Sequence, residues 1–171
     1  MRRVTGRGWA ALVILCLSFA APAVAEWHPS GALTGTVLLR DSNPGPGVLV
    51  DLWEPVGVLR LGGAIGVGAV NHPEADSTRV FMPVGASLGL RLPMGRVYLA
   101  LRLRGGIWAG ALNQGLFAGG WFAASGGFEY ALDETLGLSV NFGAWYLGGR
   151  DSVLIYAPSL GLSWSLDTDP G

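Results

Sequence analysis

Large apolar residues alternate with small or polar residues along most of the chain after residue 30. Near the end, the even positions from Leu154 to Leu166 carry Leu, Tyr, Pro, Leu, Leu, Trp and Leu. The odd positions from Ile155 to Ser165 carry Ile, Ala, Ser, Gly, Ser and Ser. A period of two indicates a strand with two unlike faces. Ser and Gly would make an unusual solvent face for a water-soluble sheet, so the other strands must decide which face points inward.

Turn-rich breaks divide the rest of the chain into segments that we predict to be strands. Gly, Pro, Asn, Asp and Ser are concentrated at 41–47, 54–57, 71–78, 93–95, 113–115, 133–135 and 148–152, and these residue types favour turns. The predicted strands run over 32–40, 48–54, 58–70, 80–92, 96–112, 116–132, 136–147 and 153–166. Most of them exceed the about 5–6 residues usual in soluble sheets and suit the about 9–11 residues of a membrane-spanning strand.

The same alternation recurs in segments 80–92, 97–111 and 136–146. One face of each carries large apolar residues such as Leu88 and Leu138, and the opposite faces carry Gly, Ser, Asn and Arg. An apolar exterior around a polar interior is the pattern of a barrel surrounded by lipid, which must close because lipid cannot satisfy a free sheet edge. We therefore predict an all-β fold, an eight-stranded antiparallel up-and-down transmembrane β-barrel. Its even strand number places 54–57, 93–95 and 133–135 on the periplasmic side.

Composition favours this interpretation over an ordinary soluble domain. Of the 171 residues, 50% are hydrophobic and 13% are charged, against about 25% charged in a typical globular domain. No run after residue 30 approaches the roughly 20 apolar residues of a membrane helix. The net charge of −1 and the absence of lysine argue against a nucleic-acid partner. A soluble lipocalin-like barrel is the alternative, and it would require the apolar faces to point inward.

The first 25 residues have the organisation of a secretory signal peptide. Three arginines within the first seven residues precede an apolar stretch at 9–21, and Ala23-Val-Ala25 supplies the small residues of a cleavage site. An uncleaved membrane anchor is disfavoured because the apolar stretch is short. We predict cleavage after Ala25, so that residues 1–25 are removed and residues 26–171 form the barrel domain.

The closing strand carries a specific resemblance to a known family. Ser159-Leu-Gly161-Leu-Ser-Trp164-Ser-Leu166 presents a polar residue, Gly two positions later and then two alternating hydrophobic residues. This segment resembles the assembly signal of the small eight-stranded outer-membrane barrels, the OmpA/OmpX-like family. The chain departs from many members in ending on Asp-Thr-Asp-Pro-Gly rather than on an aromatic residue.

The resemblance implies that the barrel-assembly machinery recognises this closing strand. Together with the signal peptide, it predicts a monomer in the outer membrane of a Gram-negative-type bacterium. Outer-membrane lipid would then be its main partner, and no cofactor or metal is expected.

Six charged residues fall on the predicted inward faces. Isolated charges in a narrow lumen would be costly, so pairing is expected. Because segments 96–112 and 116–132 are adjacent, we predict that Arg102 or Arg104 pairs with Glu129. The set forms either a structural salt-bridge plug, which we favour, or an ion pathway or gate. Its members are Asp51, Arg60, Arg91, Arg102, Arg104 and Glu129.

Five aromatic residues fall on the inward faces in the predicted outer half of the lumen. They either fill space or line a pocket for a small apolar or lipid-derived ligand. These residues are Phe81, Trp108, Phe117, Trp121 and Trp145.

Two histidines raise the question of catalysis. A Ser/His/acid hydrolase that acts on lipid A exists among eight-stranded barrels, with His and Ser two positions apart on a strand. His28-Pro-Ser30 precedes the first predicted strand, and His72 lies in a predicted outer break with Glu74 and Asp76. Neither histidine matches that signature.

Three functions follow from these observations. We predict a non-enzymatic barrel with a salt-bridged lumen and a structural or surface-interaction role, with breaks 41–47 and 71–78 outermost. A barrel that binds or passes a small hydrophobic ligand is the alternative, and a lipid A-modifying hydrolase is less favoured.

Overall fold

The computed structural model describes residues 30–41, 43–72, 77–112, 115–149 and 152–165, and antiparallel strands account for nearly all of them. The predicted signal peptide lies outside these ranges. The strands are β1 (Ser30–Arg40), β2 (Asn43–Val56), β3 (Leu59–His72), β4 (Ser77–Met94), β5 (Val97–Leu112), β6 (Gly115–Ala131), β7 (Leu136–Leu147), β8 (Val153–Tyr156) and β9 (Ser159–Ser165).

The strands close into a barrel. Each strand from β1 to β7 pairs antiparallel with the next, and β7 pairs with both β8 and β9. β1 pairs with β9 along seven residues and with β8 at Leu39 and Tyr156. β8 and β9 are therefore two halves of one wall strand, and the prediction of a closed eight-stranded antiparallel barrel is confirmed.

The eighth wall strand is interrupted at Ala157 and Pro158, where one continuous strand was expected. Proline cannot donate to a sheet ladder, so it breaks regular pairing. The wall nevertheless stays bonded at this point. The Val37 N–H donates to the Pro158 carbonyl at 3.0 Å, and the Ala157 N–H donates to the Gly143 carbonyl at 2.8 Å.

Two predicted outer breaks are largely strand. β2 begins at Asn43, and Pro44 and Pro46 pair with β1 inside the expected break at 41–47. The ladder from β2 to β3 ends at Gly47 and Gly68, and proline is tolerated where one side of a strand lacks a ladder.

The second corrected break is 71–78. β3 continues to His72 and β4 begins at Ser77, where these two residues pair. Only 73–76 lie outside the described residues there. The outer connections expected to carry surface interactions are thus shorter than predicted.

The alternation assigns the two faces of the wall as predicted. Leu52, Ile107 and Phe142 exemplify the outward side chains, with 49%, 64% and 71% of their surface exposed. In the closing strand, Leu160 and Leu162 point outward while Gly161 and Ser163 are buried. The apolar face is therefore the exterior, as expected for a barrel in lipid rather than a lipocalin. Across the described ranges, no helix is long and apolar enough to cross a membrane.

Candidate functional site in the barrel lumen

The lumen divides into a charged region and an aromatic region. The charged region consists of Asp51, Arg60, Arg91, Arg102, Arg104 and Glu129. It occupies the half nearer the turns at 57–58, 95–96 and 132–135, which the topology prediction assigns to the periplasm. The aromatic region lies in the other half. It contains Phe81, Trp108, Trp121 and Trp145, packed with Leu38, Leu49, Leu147 and Ile155.

In the charged region, Glu129 is shared by three arginines. Its side chain is 1% exposed, and the Arg91 Nη2 donates to Oε1 at 2.7 Å. The Arg60 Nη1 and the Arg102 Nη2 lie 3.6 Å and 3.7 Å from Oε2. Gly137 of β7 makes this placement feasible, because a Cβ there would come within 3.1 Å of Glu129 Oε1.

Asp51 binds the remaining arginine of the region. Arg104 donates from Nε and Nη2 to the two carboxylate oxygens at 2.7 Å and 2.8 Å. The Ser87 Oγ donates to Asp51 Oδ1 at 3.1 Å, and Arg104 Nη1 donates to Ser125 Oγ at 3.2 Å. Of the two expected partners of Glu129, Arg102 lies beside it and Arg104 pairs with Asp51 instead. The reason is depth in the barrel, since Ser87 of β4 is level with Arg104.

Two aromatic rings within the charged region were not anticipated. Trp53 lies beneath two guanidinium groups, with the Arg60 and Arg102 Cζ atoms 4.7 Å and 5.1 Å from its ring centroid. The Arg91 Cζ atom lies 3.4 Å from the centroid of the Tyr98 ring. Such stacking stabilises a cation that is short of carboxylate partners. Parity was the available signal for Trp53, because it lies two residues after inward-facing Asp51 on β2.

A further buried arginine was also missed. Arg79 of β4 is 4% exposed and shares the inward parity of Phe81. It lies near the outer end of β4. The sequence analysis interpreted the turn-rich segment 71–78 as a loop and predicted that the next strand begins at residue 80. Because the predicted strand began after Arg79, the alternation of inward and outward side chains was not extended to this residue.

The aromatic region is a set of rings in edge-to-face contact. Phe81 lies 6.4 Å from Trp108 and 6.2 Å from Trp145, and Trp121 lies 5.9 Å from Trp145, measured between centroids. All four are 4% exposed or less. Phe117 is partly buried and packs against this cluster.

Local backbone features let these rings fill the lumen. Gly68 of β3 lies so close to Phe81 that a Cβ would be 2.7 Å from the ring. The Trp108 Nε1 donates to the Gly148 carbonyl at 2.9 Å, tying the end of β7 to β5. The ligand-pocket hypothesis stays a prediction, and these contacts weigh against it because a ligand would have to displace packed rings.

Of the residues considered for catalysis, Ser30 and His72 have described positions. Ser30 is the first residue of β1, not part of a preceding segment, and its Oγ lies 3.2 Å from that of Ser165. His28, Glu74 and Asp76 lie outside the described residues, and His72 ends β3. Among the residues with described positions, no group of three or more His, Cys, Asp or Glu is arranged to hold a metal ion.

The segment that resembles an assembly signal forms β9. Ser159, Gly161 and Trp164 lie in this strand, and Leu166 lies outside the described residues. β9 pairs with β1 and β7 and so completes the wall.

Comparison with known proteins identifies solved structures that share this architecture. No family model and no curated protein matches the chain. Among solved structures, Neisserial surface protein A aligns over 84% of this chain and 99% of its own, at 14% identity and a TM-score of 0.65. The chain has the fold of the small outer-membrane β-barrels.

Two other structures with this fold differ in kind. The N-terminal β-barrel domain of Pseudomonas aeruginosa OprF aligns over 81% of this chain and 96% of its own, with 8% identity and a TM-score of 0.52. The outer membrane enzyme PagL aligns over 78% and 98%, with 13% identity and a TM-score of 0.53. The resemblance noted from the closing strand is confirmed at the level of the fold. Because an enzyme shares that fold, the fold leaves the role open.

Proposed function

We propose that this chain is a non-enzymatic outer-membrane barrel with a plugged lumen and a structural or surface-interaction role. The observation that carries the proposal is the filling of the lumen by two successive regions. Salt-bridged side chains occupy one half, and mutually packed rings occupy the other. An eight-stranded barrel has an interior just wide enough for side chains, so these regions obstruct free passage.

The exterior supports a location in lipid. Outward residues from every part of the wall are large and apolar, including Leu33, Leu61, Leu103 and Leu138, each more than 40% exposed. This belt fits outer-membrane lipid as the main partner and a single barrel as the working unit. The form of β9 supports recognition by the barrel-assembly machinery during insertion.

The β5–β6 hairpin is the part of the described wall best placed for surface interactions. β6 pairs with β7 only as far as Trp121 and Leu147, whereas β5 and β6 remain paired to Leu112 and Gly115. The Gly148 N–H still donates to the Gly120 carbonyl at 2.7 Å, and from Gly120 to its first residue Gly115 β6 spans roughly 16 Å at about 3.3 Å per residue. We infer that this hairpin projects from the outer surface of the cell.

Thiol labelling tests the orientation and the membrane location together. The only cysteine of the chain is Cys16 in the predicted signal peptide, so the secreted form would lack thiols. Ala118→Cys in the hairpin should react with a membrane-impermeant maleimide on intact cells. The matched variant Glu134→Cys, in the opposite turn, should react only after the outer membrane is permeabilised. Equal labelling of both on intact cells would contradict the proposal.

Electrical measurement tests the plug. The refolded barrel in a planar lipid bilayer should show no steady single-channel current. The double variant Phe81→Ala with Trp121→Ala removes two contacting partners of Trp145 and should raise the frequency of openings. Steady conductance by the unaltered chain would favour an ion pathway instead.

The enzyme alternative has its own test because PagL shares the fold. Lipid A from cells with and without the gene should have the same mass spectrum. Loss of an acyl chain only in cells that carry the gene would show that the barrel modifies lipid A.

A further inference from the structure

A small cavity lies between the charged region and the aromatic region. It has a volume of about 10 Å³, and its wall includes Thr34, Arg102, Arg104 and Asn141 on one side and Trp145 near the rings. That volume is about what one water-sized particle requires. The cavity is therefore a specific place within the plug, with room for one small species.

The wall of this cavity is rich in hydrogen-bond donors. Its lining residues include Arg102, Arg104 and four hydroxyl residues, and no carboxylate is among them. The Thr36 and Ser159 hydroxyls donate to backbone carbonyls, so the hydroxyl donors that remain for the cavity are those of Thr34 and Ser125. Asp51 and Glu129 form ion pairs with these two arginines but do not line the cavity. A site built from guanidinium and hydroxyl donors suits an anion better than a cation.

Three of the lining residues are deeply buried and carry a side-chain atom that lacks a hydrogen-bond partner, and one of these atoms is Oδ1 of Asn141, a residue that is 3% exposed. Thr34 is 5% exposed and its Oγ1 is unbonded, and Arg102 is 3% exposed with an unbonded Nη2. Buried polar groups in native proteins are almost always bonded to protein, water or ligand. These three groups together point to an occupant of the cavity.

The balance of charge in the charged region indicates which kind of species occupies the cavity. The charged region holds four arginines against two carboxylates, and its side chains are 25% exposed or less. Arg104 has Asp51 and Arg91 has a short bond to Glu129, whereas Arg102 has only the 3.7 Å approach to Glu129. Arg60 and Arg102 are the two arginines of the charged region with no carboxylate closer than 3.6 Å, and Arg102 is the one that borders the cavity. A buried charge without close compensation is unfavourable.

We propose that the cavity binds one halide-sized monovalent anion, such as chloride, between Arg102, Arg104 and the Thr34 hydroxyl. The anion would compensate the excess positive charge at the boundary of the two regions. Larger oxyanions such as sulfate and gluconate exceed the space. The site is independent of whether the barrel has a structural or a surface-interaction role.

Stability measurements with bromide as the probe test this site. A ligand that binds only the folded state raises stability in a saturable way. The refolded barrel in detergent should therefore unfold at a higher temperature as sodium bromide replaces sodium gluconate at constant ionic strength. Thr34→Val keeps the shape of the side chain and removes the hydroxyl, so it should weaken the apparent affinity about tenfold or more. Arg102→Met should abolish the bromide effect.

Arg91→Met is the matched control, because it removes an arginine of the charged region that does not line the cavity. Its bromide response should persist and remain larger than that of Thr34→Val, although the smaller excess of positive charge weakens it. The proposal is overturned if bromide and gluconate act alike on the parent, or if Thr34→Val and Arg91→Met respond identically.

Anomalous diffraction from crystals grown in bromide gives a second readout that does not depend on variant stability. The expected result is a bromine peak in contact with Arg102 and Thr34. Water alone at that position, with bromine peaks only elsewhere, would overturn the anion site.

Discussion

The two halves of the lumen are enclosed by the same wall but held together in different ways. In the charged region, a few short bonds to Asp51 and Glu129 hold the arginines. In the aromatic region, many weak contacts are spread over several rings and aliphatic side chains. Removing one partner of a buried ion pair leaves a charge behind, whereas trimming one ring leaves only a partial void. The charged half should therefore be the more sensitive to single changes.

The largest effect is expected for Glu129→Gln. Three arginines share this carboxylate, and its loss removes the one carboxylate with which each of them forms a described ion pair. We expect the free energy of unfolding to fall by about 3–5 kcal/mol. Urea unfolding of the refolded barrel measures it. Glu134→Gln in the exposed turn is the matched control and should change stability by about 0.5 kcal/mol or less. Equal unfolding midpoints for both variants would contradict the shared role of Glu129.

A smaller loss is expected when the aromatic region is trimmed. Phe81 is fully buried against Trp108 and Trp145, so Phe81→Leu removes edge contacts but keeps an apolar side chain. We expect a loss of about 1–2 kcal/mol in the same unfolding measurement.

Phe142→Leu is the matched control for this change, since Phe142 is 71% exposed on the outer wall. Its effect should be clearly smaller. If Phe81→Leu costs more than Glu129→Gln, the contrast between the two halves of the lumen is wrong.

A third change tests how far the aromatic region depends on directional bonds. The Trp108 Nε1 donates to the Gly148 carbonyl, so Trp108→Phe removes one donor while retaining a ring. The expected loss is about 1 kcal/mol. Trp145→Phe serves as the comparison, because its ring packs in the same cluster and none of the described hydrogen bonds involves it. Equal losses in the two variants would mean that ring volume alone matters at Trp108.

These expectations depend on information that the sequence supplies unevenly. Alternation revealed which face of each strand points inward, because side-chain period is a local property. It placed Asp51 and Glu129 in the lumen but did not predict how deep along the barrel axis each one lies, because that depth depends on the stagger between neighbouring strands. Arg104 consequently pairs with Asp51, three strands away, instead of with Glu129 on the adjacent strand.

Strand ends were the other weak point of the sequence analysis. Pro44 and Pro46 indicated a loop, yet they pair with β1, where the ladder to β3 has already ended. Turn propensity is a local signal. It does not show that one side of a strand lacks a neighbouring strand and therefore needs no backbone N–H donors there. At Pro158 the error is the opposite one, because a continuous strand was predicted where the structure has a break. A proline within an alternating segment could have indicated this break between β8 and β9.

The smallest effect concerns Asp133, which lies beside the charged region in the turn between β6 and β7. Backbone N–H groups of Thr135 and Leu136 donate to its Oδ1 at 2.7 Å each, and the Thr135 hydroxyl donates at 2.9 Å. These bonds favour the ionised form and lower the pKa of Asp133 below its ordinary value of 3.8. This exposed turn is therefore a source of acid sensitivity in the barrel.

The sign of the Asp133 effect follows from linkage. Because the pKa is lower in the folded barrel, the turn contributes stability at pH values above 3.8, and this contribution is lost as the pH falls through the lower folded value. Asp133→Asn should thus be slightly less stable than the parent at pH 7, and the difference should shrink as the pH falls below about 4. Unfolding midpoints across that range provide the measurement, with Glu134→Gln as a control that should track the parent. A difference that stays constant down to low pH would show that the turn acts through shape alone.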